Sequence, residues 1–321
     1  MQNLLKQNGG LLALIVLFVF ASLRYTGFLS EYNIESFLRY NAMFGLIALG
    51  MFFVIITGGI DLSVGSMAAF ASVIAALMSP YGLLPAVLVP VLLCAVLGFL
   101  NGLVITRFKV MPFVVTLGMF LIARGLALIA SGQQTVLLSS ESGVGNLGQG
   151  DFLGFPIPAW MLFVAFALGT VFLIKAPYGR FALTIGGNEE AARLMGIPVE
   201  KVKLLVYSLS SALAGLAGVI LATQFSAGQP NEGMGWELTA IAAVVVGGTL
   251  LTGGRGSVIN TLVGVVLLGM IFTVLNFENG LGHININSYW QTVIRGLFLL
   301  VVVLLQSSGT RIKLNLNWKS A

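Results

Sequence analysis

Charge is what this chain has least of. Asp, Glu, Lys and Arg make up 8% of its 321 residues, while 58% are apolar. A soluble domain is about a quarter charged, so this composition cannot clothe a water-facing surface. Hydrocarbon must be the solvent for much of it. Histidine and cysteine are nearly absent too. The lone Cys94, in the apolar run Val91–Leu100, excludes an internal disulfide, and the lone His283 excludes a histidine-built metal centre. One histidine, one cysteine and few acids leave almost nothing for a catalytic cluster. No polar stretch exceeds roughly 30 residues, well below domain size. The whole chain, 1–321, is therefore expected to form a single transmembrane domain.

What is present is a series of apolar segments bounded by charges, Pro or Gly. They run over Leu11–Leu23, Met43–Thr57, Ser63–Met78, Leu83–Thr106, Pro112–Ile129, Ala159–Ile174, Leu204–Thr223, Leu238–Thr252, Val258–Leu275 and Trp290–Leu305. The fold class expected is all-α integral membrane, with about ten transmembrane helices. Lys6 before Leu11–Leu23 has the outline of a signal peptide, but with so many spans behind it the segment reads as an uncleaved first helix.

The net charge of +5 does not gather into a nucleic-acid face; it follows topology. With the N-terminus inside, inner segments receive Lys6, Arg107, Lys109, Lys175, Arg180, Arg193, Lys201, Lys203, Arg255, Arg311, Lys313 and Lys319. Outer segments receive Arg24 and Arg39, and the outer loop Ser131–Pro158 has acids but no Lys or Arg. The positive-inside rule thus puts both termini in the cytoplasm. Small-residue rows, Ala68–Ser72–Ala76 and Ala214–Gly218–Ala222, have the spacing for close helix packing.

Two glycine-rich breaks share the outline Gly-Gly-x-x-Leu-Ser/Thr-x-Gly. The first is Gly58-Gly59-Ile60-Asp61-Leu62-Ser63-Val64-Gly65, and the second is Gly247-Gly248-Thr249-Leu250-Leu251-Thr252-Gly253-Gly254. Paired interrupted helices point to a translocation path, and tight inner-side turns would want the same residues. Gly58, Gly59, Asp61, Ser63, Asn101, Gly247, Gly248 and Thr249 are the path candidates. Asp61 is the one acid of its apolar neighbourhood, and a helix N-cap at Asp61–Ser63 is its other reading. Arg124 and Arg295 lie inside spans, either as functional charges or anchored at an interface or on backbone carbonyls. Asn101, Asn260 and Asn276 either line a path or bond between helices.

The inner loop 175–203 contains Gly186-Gly187-Asn188-Glu189-Glu190-Ala191-Ala192-Arg193-Leu194-Met195-Gly196-Ile197-Pro198. Asn188 suits an N-cap, Glu189 and Glu190 the positive end of a helix, and Gly196 the position after it; Pro198 prevents continuation. A helix this short could dock into a cytoplasmic partner or rest on lipid headgroups. Two acids against one basic residue, Arg193, favour docking.

These residues resemble the coupling segment of permeases from binding-protein-dependent ATP-binding-cassette importers: Glu190-Ala191-Ala192, three residues, then Gly196. The Ile-x-Leu-Pro of the maltose and phosphate type is absent, the corresponding region reading Val206-Tyr207-Ser208. The three glycine motifs in order instead resemble the ribose-type monosaccharide permeases, from about Asn41 to Gln306. That resemblance implies a multi-pass protein of the bacterial cytoplasmic membrane that catalyses no covalent chemistry. No Gly-x-x-x-x-Gly-Lys-Ser/Thr phosphate loop is present; ATP and Mg would belong to a partner ATPase dimer. The ATPases would grip Gly187, Asn188, Glu189, Glu190, Ala191, Ala192, Arg193, Leu194, Gly196 and Ile197. A second permease copy would complete the path. A sugar-binding protein would dock outside on Gly132–Pro158 and Ser226–Trp236. The rival class is an ion-coupled secondary transporter, which ordinarily sets ionisable residues deep in the membrane.

Overall fold

The computed structural model describes residues 9–281 and, in the last apolar segment, positions 290, 293, 294, 296, 297, 300, 301 and 304. His283, Arg295 and both termini with their lysines lie outside the described residues. The first helices are α1 (Gly9–Arg24), α2 (Glu31–Ile55), α3 (Val64–Met78), α4 (Leu83–Arg107) and α5 (Pro112–Ser131). After a long loop with its short α6 (Asn146–Gln149) come α7 (Ile157–Lys175), α8 (Pro177–Gly187), α9 (Glu189–Leu194), α10 (Val199–Gln224), α11 (Trp236–Val246) and α12 (Val258–Gly280).

Seven of these are long and apolar enough to cross a membrane: α2, α3 with its 3-10 extension to Tyr81, α4, α5, α7, α10 and α12. The shorter α1 and α11 are apolar as well. The tenth expected segment, Trp290–Leu305, falls largely outside the described residues. Two boundaries moved for identifiable reasons. Helix α2 begins at Glu31 rather than near Met43, because the Ser30 side chain caps it by accepting from the Asn33 N–H at 3.3 Å. Its first three turns are polar, so hydropathy alone missed them. Helix α11 stops at Val246, not Thr252, because Gly247 and Gly248 close its end.

The core is built around α2 and α10. Every residue of α2 from Asn41 to Ile55 is buried, the pattern of a helix enclosed by protein rather than lipid. Helix α10 packs on α2, α3 and α4. The two small-residue rows meet here: a Cβ on Gly218 would strike the Ala68 carbonyl and come within 2.7 Å of the Ala71 Cβ. Lipid tails are as apolar as leucine, so such close approach supplies the packing that holds the helices together. The outer faces of α4 and α5 are exposed leucines and phenylalanines, as lipid contact requires. Buried Cys94 directs its thiol at the Met67 carbonyl.

The loop between α5 and α7 carries two short antiparallel ladders, one shared with the segment after α10. Val136–Leu137 (β1) pairs with Ala227–Gly228 (β4), and Asp151–Phe152 (β2) with Phe155–Pro156 (β3). Arg39 of α2 pins this loop to the bundle. Its Nη1 donates to the carbonyls of Gly148 (3.0 Å) and Gly150 (3.2 Å), and its Nη2 pairs with Asp151 at 2.7 Å.

Candidate functional site

The two glycine breaks and the segment entering α9 are far apart in sequence, and the fold brings them into direct backbone contact. Helix α2 ends with Gly58 N–H donating to the Ile55 carbonyl and Gly59 N–H to the Val54 carbonyl. Helix α11 ends the same way, Gly248 to Val245 and Thr249 to Val244. Gly58 and Gly248 both hold left-handed backbone, φ 82° and 85°. Each is thus a helix end closed by a glycine that a side chain would strain. The geometry therefore pairs Gly58 with Gly248, one residue away from the match of Gly58 with Gly247 in the sequence outline.

Beyond those ends the strands of loop interlock. Gly254 N–H donates to the Ile56 carbonyl at 3.0 Å. A Cβ on Gly186 would strike both of those groups, and one on Gly253 would stand 2.7 Å from the Gly58 nitrogen. A Cβ on Gly254 would be 2.8 Å from Gly187. Helix α8, which leads into α9, is therefore keyed to both breaks by bare backbone.

Asp61 is not the helix N-cap. Ser63 occupies that position, and its own side chain makes no capping bond. The Asp61 carboxylate is wholly buried and accepts from the Ser63 N–H (3.0 Å), the Ser63 hydroxyl (2.6 Å) and the Ser210 hydroxyl of α10 (2.9 Å). Asn101 of α4 donates to the Ser63 hydroxyl at 3.3 Å, and Thr116 of α5 to the Ile60 carbonyl at 3.2 Å. The Tyr207 hydroxyl lies against Gly59. Residues 60–63 are thus tied to three helices. Ser210, Tyr207 and Thr116 gave no sequence signal, being ordinary polar residues in apolar helices.

Helix α9 forms as its caps require. Asn188 Oδ1 accepts from the Ala191 N–H at 2.9 Å, and Gly196 after the helix has φ 77°. One face is anchored: Ala192 is buried, Glu189 pairs with Arg193 (2.9 Å) and with Lys203 of α10 (2.6 Å), and Arg193 also pairs with Glu200. Partial burial opposes ionisation of Glu189, but the bonds from Lys203 and Arg193 outweigh it and hold its carboxyl below the usual range. The opposite face offers Glu190, Leu194 and Met195 to solvent, Leu194 being 90% exposed.

A cavity of about 680 Å³ opens between α2, α11 and α12. Its wall is mainly apolar, with the rings of Tyr40, Phe44 and Phe272, and carries the polar groups Ser36, Arg39, Asn41, Thr239, Thr273 and Asn276. Arg39 lines it, so it lies beside the pinned loop, and Ala243 and Val265 belong to its wall as well. None of the eight residues singled out as path candidates lines it; they are packed into the tether and the glycine junction. Asn276 does line it, whereas Asn101 bonds between segments. Arg124 donates to the Pro230 carbonyl and faces Glu232 and Glu237, acids that sequence distance had hidden.

The structure thus offers a loop pinned by Arg39, a cavity lined by polar and aromatic groups, and a short helix with exposed Leu194 and Met195. Comparison with known proteins identifies the family. Residues 33–303 match the family described as the branched-chain amino acid transport system permease component, and the chain belongs to that family. It is 43% identical over 306 residues to the ribose import permease protein of Bacillus subtilis (strain 168), covering 94% of this chain and 93% of that one. It is 37% identical over 310 residues to the ribose import permease protein of Escherichia coli (strain K12), covering 94% of each. It is also 36% identical over 304 residues to an L-arabinose ABC transporter permease protein of Azospirillum brasilense, covering 94% of this chain and 88% of that one. No solved structure matches. The chain is a multi-pass permease subunit of the bacterial inner membrane and not an enzyme.

Proposed function

We propose that the chain is the membrane-spanning subunit of an ATP-binding-cassette importer that carries a monosaccharide inward. The observation that carries this is the match along nearly the whole chain to permeases named for ribose and L-arabinose. The family description names branched-chain amino acids, which would make those the competing cargo. The cavity favours a sugar: hydroxyl, amide and aromatic groups line it together, and a polyhydroxylated ring offers both hydrogen-bonding edges and a face for a ring to cover.

In this reading two copies, identical or closely related, enclose the path, and both termini face the cytoplasm. A cytoplasmic ATPase dimer, holding ATP and Mg, takes the exposed face of α9. A soluble sugar-binding protein docks on the pinned outer loop and delivers the solute into the cavity. Closure of the ATPases moves α9, and the glycine junction passes that movement to the ends of α2 and α11, whose other faces form the cavity wall. The eight residues Gly58, Gly59, Asp61, Ser63, Asn101, Gly247, Gly248 and Thr249 then serve the path as its linkage rather than its lining; Gly58 and Gly248 are exposed at the two helix ends and the other six are buried.

The test is uptake of labelled pentose in cells carrying the chain with its ATPase intact or inactivated. Uptake is expected only with the intact ATPase. Uptake that persists without it would instead establish an ion-coupled secondary transporter. Leu194→Asp on the exposed face of α9 is expected to release the ATPase during purification while leaving membrane insertion unchanged.

A further inference from the structure

A second cavity, of about 590 Å³, is an apolar groove between α2, α7 and α10. One wall is the α7 stripe from Met161 through Leu168 to Phe172, the other the α10 stripe from Leu205 to Leu216, with Phe53 of α2 at its floor. Leu168 is 64% exposed, so this is outer surface of the bundle. From Met161 to Phe172 the helix rises about 16 Å, roughly half of a hydrocarbon core about 30 Å thick. The groove therefore has the depth of one leaflet.

Each stripe continues into a lysine at the same end. Lys175 follows Phe172 by three residues and Lys201 precedes Leu205 by four, the spacings that keep side chains on one helix face. Both lysines are exposed, and among the described residues neither enters an ion pair. Nearby Lys203 is already held by Glu189, and Glu200 by Arg193.

We propose that the groove and the two lysines form a binding site for an anionic phospholipid, one acyl chain lying along α7 and α10 and the phosphate meeting Lys175 and Lys201. Packing alone does not distinguish one lipid from another, because every tail is as apolar as the leucines. The lysines select the headgroup, each favouring an anionic one by roughly fivefold. A second copy of the chain seated here about a two-fold axis would bring Lys175 and Lys201 of both copies to the same rim, like charge beside like charge. Charge complementarity thus picks the lipid. The bound headgroup would lie where α7 passes into α8, the arm that leads to α9.

The experiment is native mass spectrometry of the purified full-length permease with phosphatidylglycerol or phosphatidylcholine of matched chains. Wild type is expected to retain phosphatidylglycerol at least tenfold better. Lys175→Gln with Lys201→Gln should bring the two lipids level, and Leu168→Trp, which fills the groove, should lower retention of both. The single lysine variants give half-effects if the double variant does not insert. Equal retention by wild type, or an undiminished preference in the double variant, overturns the proposal. So does loss of dimer in Leu168→Trp with lipid retention unchanged, which would make the groove a contact between copies.

Discussion

Gly254 donates its backbone N–H to the Ile56 carbonyl at 3.0 Å, and Gly186 lies flat against both groups. A Cβ on Gly186 has no room, whereas one on Gly187 meets nothing within 4 Å. Gly186→Ala should therefore lower stability by about 1–3 kcal/mol, as overpacked positions do, and cut uptake sharply. Gly187→Ala should leave both near wild type. The pair is read by thermal unfolding of purified protein and by uptake. Equal effects at the two positions would remove the junction from the mechanism.

The tether around Asp61 makes a different demand. Its carboxylate satisfies three buried donors. Asp61→Ala would leave all three without an acceptor, at about 1–3 kcal/mol for each group stranded in the interior. Ser210→Ala removes only one donor and should cost about 1 kcal/mol. Melting temperatures should therefore fall in the order wild type, Ser210→Ala, Asp61→Ala. An Asp61→Ala protein with unchanged melting temperature would show that the carboxylate is not what holds residues 60–63.

Some of this was legible in the sequence and some was not, for physical reasons. Spans and the short helix at Glu189 are local facts: apolar runs, an N-cap at Asn188, a left-handed Gly196. The glycine breaks were visible as motifs, but their purpose depends on Gly58, Gly186 and Gly253 meeting in space, which no local pattern encodes. Asp61 stood out as a lone acid, yet its partner Ser210 is one of three serines in α10. The cavity was invisible because Asn41, Thr239 and Thr273 come from three helices, and one of them, α2, opens with turns too polar for a hydropathy window to include.

The base of α9 predicts a pH dependence. Glu189 bonds to Lys203 and Arg193, which holds its carboxyl below the ordinary glutamate range. A carboxylate with a depressed folded-state value contributes its full stabilisation above the unfolded value. That contribution is lost as pH falls through the depressed folded value. At neutral pH the anchor is complete, and it should weaken only on acidification below the usual glutamate range. Co-purification of the ATPase should follow that profile, and Glu189→Gln should flatten it while weakening association at every pH. Association that declines equally with acid in both proteins would exclude Glu189 as the anchor.

Arg39 and Asp151 allow the pinning of the 132–156 loop to be tested. The two carry unequal weight. Asp151 is half-exposed and makes one contact with Arg39, whereas Arg39 is largely buried and also serves the carbonyls of Gly148 and Gly150. An exposed ion pair contributes about 0.2–1 kcal/mol, so Asp151→Ala should loosen the loop slightly. Arg39→Ala removes three bonds from a charged donor and should loosen it much more. Arg39→Lys should not rescue it, because an ammonium lacks the planar fork that reaches three acceptors. Limited proteolysis of 132–156 reads the difference directly, since cleavage reports how often the segment opens. Cleavage should be fastest in Arg39→Ala, similar in Arg39→Lys, and near wild type in Asp151→Ala. Because Arg39 also lines the cavity, uptake is read in Asp151→Ala, which should lose a little of it if the binding protein lands on this loop, while the purified permease keeps its melting temperature. Rapid cleavage with normal uptake would separate the pinned loop from solute delivery.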